Sequence, residues 1–252
     1  MTETFLWRDL IRAIDQHASA TNRVRFWLRD DDAVEPTPAL DRLRTLCEAH
    51  DVPLLLAVIP KPAQQSLGDY VRDAPLITPC QHGYAHINHA GEHGRAQELG
   101  LHRGSEQILQ ELREGQARMS ELFNGTALPL LVPPWNRIDP ALVAELPGIG
   151  FRALSTFGWD VFAPVAHLRQ INSDVDIIDW RNGRIGKPIP DLIGTCIDTL
   201  THPANADKRI GILTHHLAHD DGAWAFLEAL FAETAGHPHV EWVPAAHFMN
   251  DA

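Results

Sequence analysis

At 252 residues, 44% hydrophobic and 21% charged, the chain has the make-up of a water-soluble globular protein, and one domain over 1–252 is the simplest expectation. A formal net charge of −12 with no stripe of Lys and Arg excludes nucleic acid as a partner, because phosphate-backbone binding draws on clustered cations. No run reaches the roughly 20 apolar residues of a membrane span, and Cys47, Cys80 and Cys196 are widely spaced with no C-x-x-C pair, so reduced thiols in a cytoplasmic protein are expected.

The first element predicted is an amphipathic helix within 1–18, with Leu6, Leu10, Ile11 and Ile14 on one side, and not a signal peptide. Apolar runs rich in Val, Ile and Leu then predict strands at 24–28, 54–59, 128–132, 175–178 and 210–213, with weaker candidates at 76–78, 151–155 and 240–243. Thr37-Pro38 reads as N-cap and first turn of a helix that turns Leu40, Leu43 and Cys47 inward; Ile108, Leu112, Met119 and Leu122 mark another. Asp139-Pro140 repeats the start signal, Leu192, Ile193, Cys196, Ile197 and Leu200 outline a further helix, and 224–231 the last. Segments 156–172 and 182–190 read as irregular loops. Strand followed by helix, repeated about seven times, implies an α/β protein with a parallel sheet, either open and doubly wound or closed as a barrel. Clusters of polar residues just after several strands favour the barrel, which gathers its active site there.

Three carboxylates close the first strand, Asp30-Asp31-Asp32. Such a cluster is costly unless a cation sits among them. A second ligand-rich segment follows the third apolar run, Gln81-His82-Gly83-Tyr84-Ala85-His86. His82 and His86 with Asp31 would supply two imidazoles and a carboxylate, which leaves open positions on one divalent ion, Zn²⁺ first among the choices. Asp30 or Asp32 would then be free to take a proton.

These residues resemble a known family. Asp30-Asp31 followed by Thr37-Pro38 is similar to the D-D-G-P-x-x-x-T-P opening of the NodB-like polysaccharide deacetylases, metal-dependent carbohydrate esterases, and His82-Gly83-Tyr84-Ala85-His86 resembles their H-[S/T]-x-x-H motif. Pro133-Pro134-Trp135-Asn136 is similar to their R-x-P-Y-type groove motif, 176–180 to D-x-x-D-W, and Leu213-Thr214-His215 to the terminal L-x-H. The motifs stand in family order. The resemblance implies a distorted (β/α) barrel of seven or eight strands, with Asp30 as general base, His215 as the acid that protonates the leaving group, and Asp31, His82 and His86 as metal ligands. It implies substrate-binding roles for Pro134, Trp135, Asn136, Asp179, Trp180 and His216, and a sugar or glycan intermediate, N-acetylated or O-acetylated, as substrate.

The departures are specific. Asp32 replaces a glycine, Gly83 a Ser or Thr, and Val132 the arginine that braces the base, for which Arg137 or Arg29 would have to substitute. Two further readings follow: an amidohydrolase of the same type acting on a non-sugar amide, or a barrel that binds carbohydrate without turning it over. The run from His215 to Asp221 also resembles the His-Asp sequences of metallophosphohydrolases, and Asp31-Asp32-Ala33-Val34-Glu35 the acidic motif of prenyl-transferring enzymes, but both of those classes are helical. No motif names the oligomeric state.

Overall fold

The computed structural model describes residues 3–19, 22–91, 94–159 and 162–250, with the side chains of 3–5 and 250 left out of account. The first part of the chain runs α1 (Glu3–His17), β1 (Val24–Ala33), α2 (Pro38–His50), β2 (Leu54–Val58), α3 (Gln65–Arg72), β3 (Ile77–His82), α4 (Ser105–Leu122) and β4 (Leu128–Val132). There follow α5 (Pro140–Val143), β5 (Ala153–Leu154), β6 (Arg169–Gln170), β7 (Val175–Asp176), β8 (Ile178–Asp179), β9 (Ile185–Gly186), α6 (Ile189–Thr201), β10 (Arg209–Thr214), α7 (Asp221–Thr234), β11 (Val240–Trp242) and α8 (His247–Asn250). The predicted helix within 1–18 is α1, its residues 1 and 2 lying outside the described set.

The chain divides into two compact units built from discontinuous segments. The first holds Met1–Asp30, Thr37–Leu54 and Ser173–Pro244; the second holds Asp31–Pro36, Leu55–Asn172 and Ala245–Ala252. The peptide bond between Asp30 and Asp31, inside β1, passes from one to the other.

In the first unit the strand order is β11-β1-β10-β7, all parallel, with Phe26 opposite Ile210 and Leu28 opposite Ile212. Phe26, Leu28, Ile210 and Ile212 are all essentially buried, as a parallel sheet covered by helices requires. Its helices turn apolar faces inward at 3.6-residue spacing: Leu10 and Ile14 of α1, Leu40, Leu43 and Cys47 of α2, Leu192, Ile193, Cys196 and Leu200 of α6. The Thr37 hydroxyl accepts from Leu40 N and caps α2 as the sequence predicts. β8, which takes in the last residue of the strand expected at 175–178, pairs antiparallel with β9, which lies in the 182–190 stretch read as loop and is too short to leave a period-2 signal.

In the second unit β6-β5-β4-β3-β2 follow in order, with the pairs from β3 to β6 parallel. Its core joins Ile108, Leu109 and Leu112 of α4 to Leu131, Leu142, Val143, Leu146, Phe151 and Leu154. Between Cys80 and Gln81 the partner of β3 jumps from Leu128 to Leu131, a register shift immediately before His82. Such irregularities re-aim side chains at strand ends. Among the described residues no helix is long and apolar enough to cross a membrane.

Candidate metal centre and neighbouring catalytic groups

In the second unit Asp32, His82 and His86 offer one carboxylate oxygen and two imidazole nitrogens that all lie within 4.8 Å of one another. His82 Nε2 stands 3.1 Å from Asp32 Oδ1, and His86 Nε2 3.3 Å from the same oxygen. The other nitrogen of His82, Nδ1, is 2.9 Å from Val132 O. A carbonyl can only accept, so Nδ1 carries a proton and donates; in the neutral ring that a metal ligand must be, Nε2 then points its lone pair at a carboxylate. Two lone pairs facing each other call for a cation between them, and a histidine fixed through its second nitrogen is the usual support of a metal ligand. The donor set therefore fits a borderline divalent ion.

The expected carboxylate ligand was Asp31, yet the one that meets the histidine pair is Asp32. β1 extends to Ala33, five residues beyond the predicted end, and Asp32 adopts φ 75, which turns its side chain out of simple strand alternation. Asp31 is 2% exposed. It is not part of the group that meets the histidine pair.

The loop that carries His86 is held by a residue that motif reading missed. Glu98 is fully buried and accepts from Tyr84 N at 3.0 Å, Ala85 N at 2.8 Å and Ile87 N at 3.4 Å. Gly83 has φ +54, and a Cβ there would lie 2.1 Å from Glu98 Oε2 and 2.5 Å from Pro134 Cγ, so the Ser or Thr of the motif has no room. Gly83 N donates to Val132 O at 2.9 Å, so the residue in the arginine's place contributes its carbonyl. Gln81 Nε2 donates to Gly83 O and Leu112 O, tying the same turn to α4. Arg137, a possible stand-in for the missing arginine, donates from Nη1 to Ala96 O at 2.8 Å.

Asp32, Gly83, His86, Trp135 and Asn136 all have φ between 54 and 75. Left-handed non-glycine residues cost about 1–3 kcal/mol each and gather where structure serves a site. The Trp135 ring lies 4.3 Å from that of His86, so one face of the ligand is covered by indole. Pro134 is buried, while Trp135 and Asn136 are partly exposed. Burial, then the charge of His82, lowers the His86 pKa, which keeps the imidazole neutral as a ligand must be.

The first unit holds the other expected residues. Asp30, read as the general base, is fully buried and spends its acceptors on Thr214 Oγ1 at 2.7 Å, His216 N at 2.8 Å and His216 Nδ1 at 2.5 Å. Burial raises its pKa, but the opposing charge and hydrogen bond of His216, with His219 and Thr214, outweigh that and leave it lowered. A carboxylate so stabilised is a poor proton acceptor. His216, expected at the substrate, is 2% exposed and serves as the inner partner of Asp30. His215 packs edge-on against Trp180 at 4.6 Å, and Trp180 is 39% exposed with its indole N–H donating to Asp176 Oδ2 at 2.8 Å. Asp179 accepts from Arg181 N, Asn182 N and Asn182 Nδ2, so its carboxylate closes the β8–β9 turn.

No family model matches the sequence. Nor does any curated protein. Solved structures do match. A Mycobacterium smegmatis protein assigned as a polysaccharide deacetylase shares 14% identity over 90% of each chain with a TM-score of 0.68. A family 4 carbohydrate esterase from Streptomyces lividans, in complex with acetate, shares 17% over 86% of this chain and 90% of its own, with a TM-score of 0.57. A mutant of a pseudoenzyme of that family, with restored enzymatic activity, shares 15% over 91% and 69%, with a TM-score of 0.61. At such identities the likeness speaks for the fold, and the chain has the (β/α) barrel fold of the polysaccharide deacetylases.

Proposed function

We propose that the chain is a metal-dependent hydrolase that removes an acetyl group from an N-acetylated or O-acetylated sugar, with Asp32, His82 and His86 holding one divalent ion, Zn²⁺ first. The observation that carries this reading is the convergence of two imidazoles on one carboxylate oxygen, with His82 fixed in the tautomer a ligand needs. An ion there would supply Lewis acidity, lowering the pKa of a water from about 15.7 toward about 7 and polarising the acetyl carbonyl. Asp31, next to Asp32 in sequence and buried, would take the proton from that water. Trp135 offers a partly exposed indole on which a sugar ring can stack. The test joins metal analysis of the purified protein to acetate release from N-acetylated and O-acetylated sugars. His82→Ala with His86→Ala should lose the ion held at this site and, with it, the acetate release. Metal held as tightly as in the wild type would sink the assignment, and wild-type protein that bears metal but releases acetate from no sugar would favour the non-sugar amide.

His215 is proposed as the acid that protonates the leaving group, on its place in the L-x-H motif and its position after β10. His215→Ala should cost about 10²-fold or more on an amide and much less on an ester with a good leaving group, with metal content unchanged. Equal losses on both substrates would remove His215 from the role.

A further inference from the structure

A second convergence of metal-ligand atoms lies wholly within the first unit and takes no part in the reading above. Asp15, near the end of α1, meets His237 and His239 of the turn that leads into β11. Asp15 Oδ1 is 2.8 Å from His239 Nδ1 and 3.6 Å from His237 Nε2, and the offered ligand atoms all lie within 4.8 Å. Around a four-coordinate ion with bonds of about 2.0–2.1 Å, neighbouring ligand atoms stand about 3.3 Å apart. The two measured gaps bracket that spacing, so an ion enters with shifts of about half an ångström.

The turn is built rigidly. His237 N donates to Thr234 O at 3.1 Å, Val240 N closes onto His237 O at 3.0 Å with Pro238 between, and His239 O accepts from Val24 N at 2.9 Å. Both imidazoles are thereby carried on backbone fixed by α7 and by the sheet, and both are aimed at one carboxylate oxygen. A single carboxylate needs no more than one imidazolium for charge balance, whereas two imidazoles and one carboxylate are the donor set of a borderline ion. The side chains of Asp15, His237 and His239 are 49%, 17% and 36% exposed, so an ion can reach them and water can complete its coordination.

We propose that Asp15, His237 and His239 form a second site for a borderline divalent ion of the Zn²⁺ class, which staples the end of α1 to the turn entering β11. Ligation through His237 Nε2 places the ring proton on Nδ1, so the 3.3 Å contact in which His239 N donates to that nitrogen is given up. This cost makes the site the weaker of the two.

The test uses the full chain carrying His82→Ala and His86→Ala, titrated calorimetrically with Zn²⁺ and melted with and without it. One equivalent should bind and raise the melting temperature; adding His237→Ala and His239→Ala should abolish both effects. Retention of that equivalent after the histidines are removed would overturn the proposal, as would the absence of any binding in the first variant. Should the multiple variants fail to fold, Asp15→Asn in the otherwise wild-type chain should lower the zinc stoichiometry by one, and an unchanged stoichiometry overturns it equally. Acetate release is not among these readouts, so failure here is separable from failure of the proposed hydrolase function.

Discussion

Asp32→Ala should lower bound metal by one equivalent and abolish turnover, while Asp31→Asn should keep the metal and lose turnover by about 10²–10⁴-fold, the range of a general base. The expectation rests on which carboxylate meets the imidazoles. Asp32 Oδ1 lies 3.1 and 3.3 Å from the two histidine nitrogens, so its removal takes away one of three ligand atoms and leaves the His82 lone pair without a counterpart. Asp31 is nine-tenths buried beside it in sequence, and Asn keeps its shape while removing its basicity. Asp30→Asn provides the contrast. Its oxygens are taken up by Thr214 and His216, so the change should act on the stability of the first unit, with metal content at the second unit unaltered. Metal analysis and kcat on the three variants decide the matter. Metal loss in Asp31→Asn with retention in Asp32→Ala would restore the assignment drawn from motif spacing.

That assignment shows what the sequence carried and where it misled. Parallel strands, covering helices and the strand-end placement of the polar clusters were legible because burial on both faces makes continuous apolar runs, as in 54–58 and 128–132, and because Thr37-Pro38 and Asp139-Pro140 mark helix starts by a physical mechanism. The histidine pair was legible as spacing. The aspartate was not, because counting back from Thr37 to the first carboxylate assumes the motif's own loop length. Here β1 runs on through the acidic cluster, and Asp32, with a left-handed φ, is the carboxylate that meets the histidine pair. His216 was expected at the substrate beside His215; alternation sends such neighbours to different faces, but which face is interior depends on tertiary packing that periodicity does not report. The hairpin of β8 and β9 has two residues per strand, below any periodic signal. Glu98 left no trace: a buried glutamate in a polar stretch looks like any solvated one, and only the three amides that converge on it reveal its work.

Those amides give the second large effect. Gly83→Ala should destabilise the fold by about 2–5 kcal/mol, joining the cost of a left-handed non-glycine residue to that of overpacking. Both terms are visible: φ is +54, and the added carbon would meet Glu98 Oε2 at 2.1 Å and two carbons of Pro134 at 2.5 and 2.6 Å. Neither neighbour yields easily, because Glu98 is fixed by Tyr84 N, Ala85 N and Ile87 N, and the proline ring is rigid. The Glu98→Ala change works on the same loop from the opposite side. It leaves part-buried N–H groups without their acceptor, at up to about 1–3 kcal/mol each and less where water reaches them, as at exposed Ile87. Relaxation of the turn then lets His86 drift from Asp32, so metal affinity should fall about 10- to 100-fold, as is usual when the support of a ligand is removed. Calorimetric melting of the metal-free protein separates the two contributions, and zinc titration of each variant reads the second. A Gly83→Ala protein with wild-type stability would mean that the loop has another conformation open to it. Glu98→Ala with unchanged zinc affinity would mean that His86 is held in place by Trp135 alone, through the ring contact at 4.3 Å.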